Sequence, residues 1–432
     1  MNPHLRYVDS ELRFEDVSLR LLAHRFGTPT YTYSHSAVLD QINSLREALS
    51  EVQHEICYAV KTNSNLAILG SLAHAGVGFD IVSVGELERL QRVGADLSRV
   101  VFAGVGKRPD ELRRAVESAV GLIHVESMPE AEVLSSIASQ CNREVHVALR
   151  VNPDLSAGGH AYISTGTARE KFGLEQSGLL QSWKHIASLP GLKPIGLHCH
   201  VGSQILDKQA HQTVARRMAD LTRDLRAHGQ TVETLNLGGG LGIRYDQETP
   251  PGAKGFAEAI LPEILGLGVK LYIEPGRFVV GNAGILLSRV LYRKETSQKT
   301  FIVLDTGMND LARPSLYGAH HEILPLRHQG HPEWETVDVV GPICESGDFL
   351  ARSRLLPRLE CGDLVAICSA GAYGFTMSSN YNSRPRAAEV LLRGNQFRLV
   401  RERETLDDLM RGEREWPEAE WAEAAEPSPE VP

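Results

Sequence analysis

One lysine, a pair of histidines, two glycine turns and one cysteine stand out for the chemistry their types and spacing would allow. Lys61 closes the apolar run of "CYAVKTNSN" (57–65) and is followed by small polar residues, with no carboxylate beside it in the chain. A cation ending a buried stretch is costly, and burial lowers an amine's pKa toward the neutral form that condenses with an aldehyde. The turns "GGGLG" (238–242) and "EPGR" (274–277) offer backbone N–H groups, and Arg277 adds a fork suited to phosphate or carboxylate. Each has an ordinary reading on its own: a tight turn for the glycines, a surface ion pair for Glu274 and Arg277. "HCH" places His198 and His200 on one strand face, as in some metal sites. No carboxylate–histidine set completes a metal site in the sequence, so none is expected.

These residues need a scaffold, and the pattern of apolar runs supplies one. Runs at 55–60, 77–83, 100–104, 121–127 and 144–152 recur about every 22 residues, and helical patterns fill the gaps. One of these, "MPEAEVLSSIASQ", has Ser127 placed as N-cap and Glu130 three residues on. The series continues at 194–202, 234–242 and 270–277. About eight βα units predict a (β/α)8 TIM-like barrel, with an open doubly wound sheet as the alternative. Beyond residue 284 strands follow one another without regular helices, which predicts a C-terminal β domain, a β-sandwich or barrel. The expected division is residues 1–28 as an N-terminal segment packing with the β domain, 29–284 as the barrel, 285–411 as the β domain and 412–432 as an acidic, disordered tail.

Barrel chemistry sits at the C-terminal strand ends. The first strand delivers Lys61, the second Asp80 and Ser83, the fifth Arg150 and Asn152. The sixth delivers His200 and Ser203, the seventh Gly238, Gly239 and Gly240, and the eighth Glu274, Gly276 and Arg277. Two phosphate-competent turns on neighbouring strands, with a lysine nearby, point to a phosphorylated aldehyde cofactor, and pyridoxal 5'-phosphate fits. Glu274 would then face its ring nitrogen and favour the protonated ring.

Bulk properties narrow the class further. A net charge of -9 without a basic run argues against nucleic acid. No window approaches the ~18 apolar residues of a membrane span, and the N-terminus lacks an apolar signal region, so a soluble cytoplasmic protein is expected. The six cysteines at 57, 141, 199, 344, 361 and 368 show neither CxxC pairs nor disulfide spacing, and most are expected to be buried thiols.

In order along the chain, "YAVKTNSN", "GFDIVSVGEL", "RVNPD", "YISTGTAREKFGL", "HCHVGSQI", "NLGGGLGI", "EPGR", "MNDLARPSLYGAHHEI", "GPICESGD" and "AGAYGFTMSSNYNSRPRAAEVL" resemble the motifs of the fold-type III pyridoxal-phosphate decarboxylases, specifically the branch acting on meso-2,6-diaminopimelate. The likeness runs from about Leu19 to Asp408. It implies an alanine racemase-like pairing of barrel and β domain, and conversion of meso-diaminopimelate to L-lysine and carbon dioxide, the last step of lysine biosynthesis. By the same resemblance Lys61 carries the cofactor, His200 stacks on its ring, and Asp80 and Glu274 also contact it. Ser203, Gly239, Gly240, Gly276, Arg277 and Tyr373 surround the phosphate. Arg277, Arg313, Tyr317, Glu345 and Tyr373 bind substrate, with Arg277, Arg313 and Tyr317 at the distal carboxylate and Glu345 at the distal ammonium.

Cys344 resembles the family's general acid, placed across a homodimer interface with shared active sites; its ordinary reading is a structural thiol. Arg313 read without the family is a partner for Asp310. Two departures from the family pattern are the segment past Ala424 and Asn236, where an acidic residue is expected. The alternatives are a relative acting on D-ornithine, D-lysine, ornithine, arginine or a carrier-linked glutamyl group, a racemase using Tyr373 as second base, and a non-catalytic pyridoxal-phosphate-binding protein.

Overall fold

The computed structural model describes residues 2–155, 171–328, 330 and 332–416. Part of "YISTGTAREKFGL" (162–170) and most of the acidic tail (417–432) lie outside the described residues. Eight parallel strands close a barrel: His54–Ala59, Gly78–Ile81, Val100–Phe102, Leu122–Val125, Val145–Arg150, Leu192–His198, Thr234–Asn236 and Lys270–Ile273. The last closes on the first, Ile273 opposite Ile56. The barrel therefore replaces the open-sheet alternative.

The strands are short, and several of the helices between them start on side-chain caps. Ser127 accepts from the Glu130 N–H at 3.3 Å ahead of helix Met128–Gln140, and Ser83 accepts from the Glu86 N–H at 3.3 Å ahead of helix Val84–Arg92. Ser83, counted among the strand-end candidates, is thus a helix cap.

The second domain is a nine-stranded, mostly antiparallel sheet, with Gly284–Glu295 as its long central strand. Thr30–Ser34 also belongs to it, pairing antiparallel with that strand and parallel with Ala388–Arg393. We therefore propose that the barrel begins with helix His35–Ala48, a few residues after the boundary expected at 28/29. The N-terminal hairpin strands Leu5–Val8 and Glu11–Phe14 bury Leu5, Leu12 and Phe14 against Ile285, Leu287, Leu326 and Val390 of the sheet. Cys57, Cys199 and Cys368 are buried, whereas Cys344 and Cys361 are exposed. No helix among the described residues is long and apolar enough to cross a membrane.

Candidate functional site

Lys61 lies in the single turn Val60–Thr62 that ends the first barrel strand. The neighbouring strand sets Asp80 opposite Ala59 in parallel register, two residues before the lysine. Lys61 Nζ consequently donates to Asp80 Oδ2 at 2.6 Å, with the Asp80 side chain fully buried and that of Lys61 36% exposed. This corrects the sequence expectation of a lysine without a carboxylate partner and with a lowered pKa. Burial does pull the amine down, but the charge of Asp80, followed by Tyr373 and Glu274, outweighs it, and the pKa is raised above its ordinary value. The partner comes from the next strand, so it is remote in sequence. Burial pushes Asp80 up against the opposing pull of Lys61, and Asp80 Oδ1 is buried without a protein partner.

Beneath this pair the strand ends carry a buried polar layer. Asn236 Nδ2 donates to Glu274 Oε1 at 2.7 Å, while its Oδ1 accepts the Gly238 N–H at 2.8 Å. An acidic residue at 236 could accept from Gly238 but could not donate to Glu274, which gives the departure at this position a physical reason. His198 Nε2 and His124 Nδ1 lie 3.4 and 3.7 Å from the two Glu274 oxygens. His124, His198 and Glu274 bring three potential ligand atoms together. The imidazoles, however, stack at 3.9 Å with 17° between their planes, and lone pairs in parallel rings do not converge on one ion. Burial, first, lowers both histidines well below their ordinary pKa, leaving them neutral.

Above that layer the glycine turn meets His200. The Gly239 N–H donates to His200 Nδ1 at 3.1 Å, which leaves the ring proton of a neutral imidazole on Nε2. Burial and then the charge of Lys61 hold His200 well below its usual pKa. A Cβ at Gly239 would meet the Glu274 carbonyl at 2.3 Å, and one at Gly276 would meet Thr62 Cγ2 at 2.3 Å, so both positions require glycine. With Gly238 and Gly239 engaged, the Gly240 and Gly276 N–H groups are the ones without a protein acceptor among the described residues. Arg277 reaches this turn, donating through Nη2 to Ser203 Oγ at 2.9 Å and through Nη1 to Tyr245 Oη at 2.7 Å. Its Nε is buried and unpartnered. Tyr373 carries a left-handed φ of 55°, a conformation costing a non-glycine residue about 1 kcal/mol or more. Its N–H is tied to the Thr62 carbonyl at 2.9 Å, next to Lys61.

Ser203, Arg277, Arg313, Tyr317 and Tyr373 line one cavity of about 590 Å³, within the range of small-molecule sites. A hollow of about 1160 Å³ against helix His35–Ala48 contains none of the strand-end residues, so size alone does not mark the site. Arg313 does not pair with Asp310, whose Oδ2 instead accepts the Gly307 N–H at 3.2 Å. Its Nη1 contacts His321 Nε2 at 2.9 Å, and its Nε is buried without a partner. Cys344 and Glu345 are exposed and line no part of this cavity. The Cys344 N–H donates to Asn382 Oδ1 at 2.7 Å, fixing the turn that bears both residues.

Comparison with known proteins gives this geometry a family. Residues 35–281 match the model described as pyridoxal-dependent decarboxylase, pyridoxal binding domain. The chain is 47% identical over 407 residues to a diaminopimelate decarboxylase of Pseudomonas aeruginosa, covering 94% of this chain and 98% of that protein. It is 42% identical to the diaminopimelate decarboxylase of Aquifex aeolicus, over 95% and 97% of the two chains. The chain belongs to the diaminopimelate decarboxylases. In three dimensions it resembles the diaminopimelate decarboxylase of M. jannaschii solved in co-complex with L-lysine, with a TM-score of 0.92 and 35% identity over 96% of this chain and 99% of that one.

Membership of this family makes pyridoxal phosphate the group to test against the site. The orphaned Asp80 Oδ1 and Arg277 Nε, the close-approach glycines at 239 and 276 and the partly exposed Lys61 side chain fit a phosphorylated aldehyde. Sequence reasoning missed Tyr245 and His321. His321 stood within the motif "YGAHHEI", but nothing in its spacing showed that it would back an arginine; Tyr245 lies in a loop with no periodic signal.

Proposed function

We propose that this protein removes one carboxyl group of meso-diaminopimelate to release L-lysine and carbon dioxide, with pyridoxal phosphate as cofactor. The observation that carries the reading is the pair of buried guanidinium groups in one cavity. Arg277 sits at the glycine turns, where a phosphate is expected. Arg313 has no carboxylate partner among the described residues, its Nη1 meeting His321 and its Nε unpartnered, and is left to receive an anion from the substrate. A substrate with a second carboxylate far from the reacting carbon meets that demand, whereas ornithine or arginine would leave a buried cation unpaired.

Pyridoxal phosphate, when bound, supplies a ring that takes up the electron pair left as carbon dioxide departs. The residues around it prepare that event. Lys61 must lose its proton before it can act as a nucleophile, and Asp80, 2.6 Å away, governs how readily it does so by favouring the protonated amine. Glu274, steadied by the Asn236 amide, is the carboxylate that would favour a protonated ring nitrogen. Neutral His200 presents a ring face without opposing that cation. Gly239 permits close approach, and Ser203, Gly240, Gly276, Arg277 and Tyr373 would hold the phosphate. Arg277, Arg313, Tyr317 and Tyr373 bind substrate. Cys344 returns a proton to the α-carbon and Glu345 holds the distal ammonium. Both lie on an exposed turn of their own chain and would act in the site of a second copy, which supports reading the working form as a homodimer, in the cytoplasm.

The test is carbon dioxide release by cofactor-loaded protein offered meso-diaminopimelate, L-ornithine, L-arginine, D-lysine and D-ornithine separately. Preference for meso-diaminopimelate, reduced at least tenfold in Arg313→Ala, is expected. A preferred substrate without the second carboxylate would overturn the substrate assignment.

A further inference from the structure

The two arginines share a support, Tyr245 at the cavity wall and His321 behind it. Tyr245 Oη accepts from Arg277 Nη1 at 2.7 Å, while its ring lies under Arg313, the guanidinium carbon 4.4 Å from the ring centre. His321 packs edge-on against the same ring at 5.4 Å and 74°. Its Nδ1 is 2.8 Å from the Cys368 carbonyl oxygen. A carbonyl can only accept, so Nδ1 carries the proton and Nε2 is left with a lone pair. That lone pair faces Arg313 Nη1 at 2.9 Å. The imidazole is fully buried, and burial followed by the charge of Arg313 lowers its pKa to about 3. It therefore remains an acceptor at any pH at which the protein works.

We infer that His321 is a positioning residue for the substrate's second carboxylate, acting through Arg313, and that Tyr245 divides its support between the two anion sites, hydroxyl to Arg277 and ring to Arg313. The physical reason lies in what each contact leaves exposed. A guanidinium has five N–H donors in a rigid plane. His321 consumes one and Tyr245 covers one face of that plane, so the remaining donors, including the buried and unpartnered Nε, are turned toward a ligand. A neutral acceptor does this without neutralising the charge. A carboxylate in place of His321 would orient Arg313 equally well, but would compete with the substrate's own carboxylate. The choice of histidine, its tautomer held by the Cys368 carbonyl, keeps the arginine oriented and still electrostatically unsatisfied.

This inference rests on the substrate assignment above, and its test separates the two. L-Lysine, the product, keeps the second carboxylate; 1,5-diaminopentane is the same chain without it. Dissociation constants of both are measured calorimetrically on the holoenzyme, together with pyridoxal-phosphate affinity by fluorescence titration of the apoenzyme. The wild type is expected to favour L-lysine. In His321→Leu, L-lysine should weaken about tenfold or more while 1,5-diaminopentane and cofactor affinity stay within threefold, with KM for meso-diaminopimelate rising more than kcat falls. His321→Gln, which keeps an acceptor, should recover most of the L-lysine affinity. Tyr245→Phe, which keeps the ring under Arg313 but frees Arg277 Nη1, should lower cofactor affinity several-fold and weaken L-lysine less than His321→Leu does. Unaltered L-lysine affinity in His321→Leu, or an equal loss for both ligands in a folded His321→Gln, would overturn the positioning role and leave the substrate assignment standing. A wild type that does not distinguish the two ligands would overturn both.

Discussion

Replacing Asp80 by asparagine isolates the charge that holds Lys61 protonated while keeping the shape of the side chain. The ions are 2.6 Å apart, and at an effective dielectric constant of about 20 such charges attract by roughly 6 kcal/mol. The Lys61 side chain is 36% exposed, so solvent screening and retained hydration reduce this to about 2–3 kcal/mol. At 1.36 kcal/mol per tenfold change, the neutral fraction of the amine at a given pH should rise by about 30- to 150-fold in Asp80→Asn. Trace acetylation of the apoenzyme at pH 8, with the Lys61 peptide quantified by mass spectrometry, reads that fraction directly. A variant labelled within threefold of wild type would show that Asp80 does not govern the protonation of Lys61. The same pair predicts a pH window for stability. The folded-state pKa of Lys61 is raised, so its contribution is fully present below the unfolded amine's pKa of about 10.4 and is lost as pH rises through the folded value. The urea-unfolding difference between wild type and Asp80→Asn apoenzyme should therefore be constant from about pH 8 to pH 10 and close above it.

Two further outcomes are expected. If Cys344 completes the site of a second copy, mixing the separately inactive Lys61→Ala and Cys344→Ala chains under subunit exchange should restore up to about one quarter of wild-type activity, because half the dimers are hybrids with one intact site each; no recovery in exchanged dimers, followed by steady-state turnover, would argue against shared sites. Asn236→Asp exchanges the donor to Glu274 for a second buried carboxylate, at a cost of about 2–4 kcal/mol unless one of the two keeps a proton. Its thermal midpoint should therefore fall relative to wild type at pH 8 and partly recover at pH 6, as measured by calorimetry.

Much of the architecture is written in local pattern. Runs such as "EICYAV" and "EVHVALRVN" fall within a residue or two of barrel strands His54–Ala59 and Val145–Arg150, since a strand buried on both faces must be almost wholly apolar and needs a turn at each end. Ser127 is legible as a cap because the hydrogen bond it makes spans only three residues. The glycines at 239 and 276 could be recognised as close-approach positions from their place at strand ends, although the atoms that require them, the Glu274 carbonyl and Thr62 Cγ2, belong to other segments.

What tertiary structure alone decided is which charges meet. Asp80 is 19 residues from Lys61 and becomes its partner through parallel register. Asn236 stands beside Glu274 because the last two strands are neighbours. Tyr245 and His321, 76 positions apart, converge on Arg313 only where a barrel loop meets the β domain. Periodicity reports the face a residue shows to its own element. The protonation of an amine or the orientation of a guanidinium is set by groups a few ångströms away in space, and the fold of this chain draws those groups from separate segments.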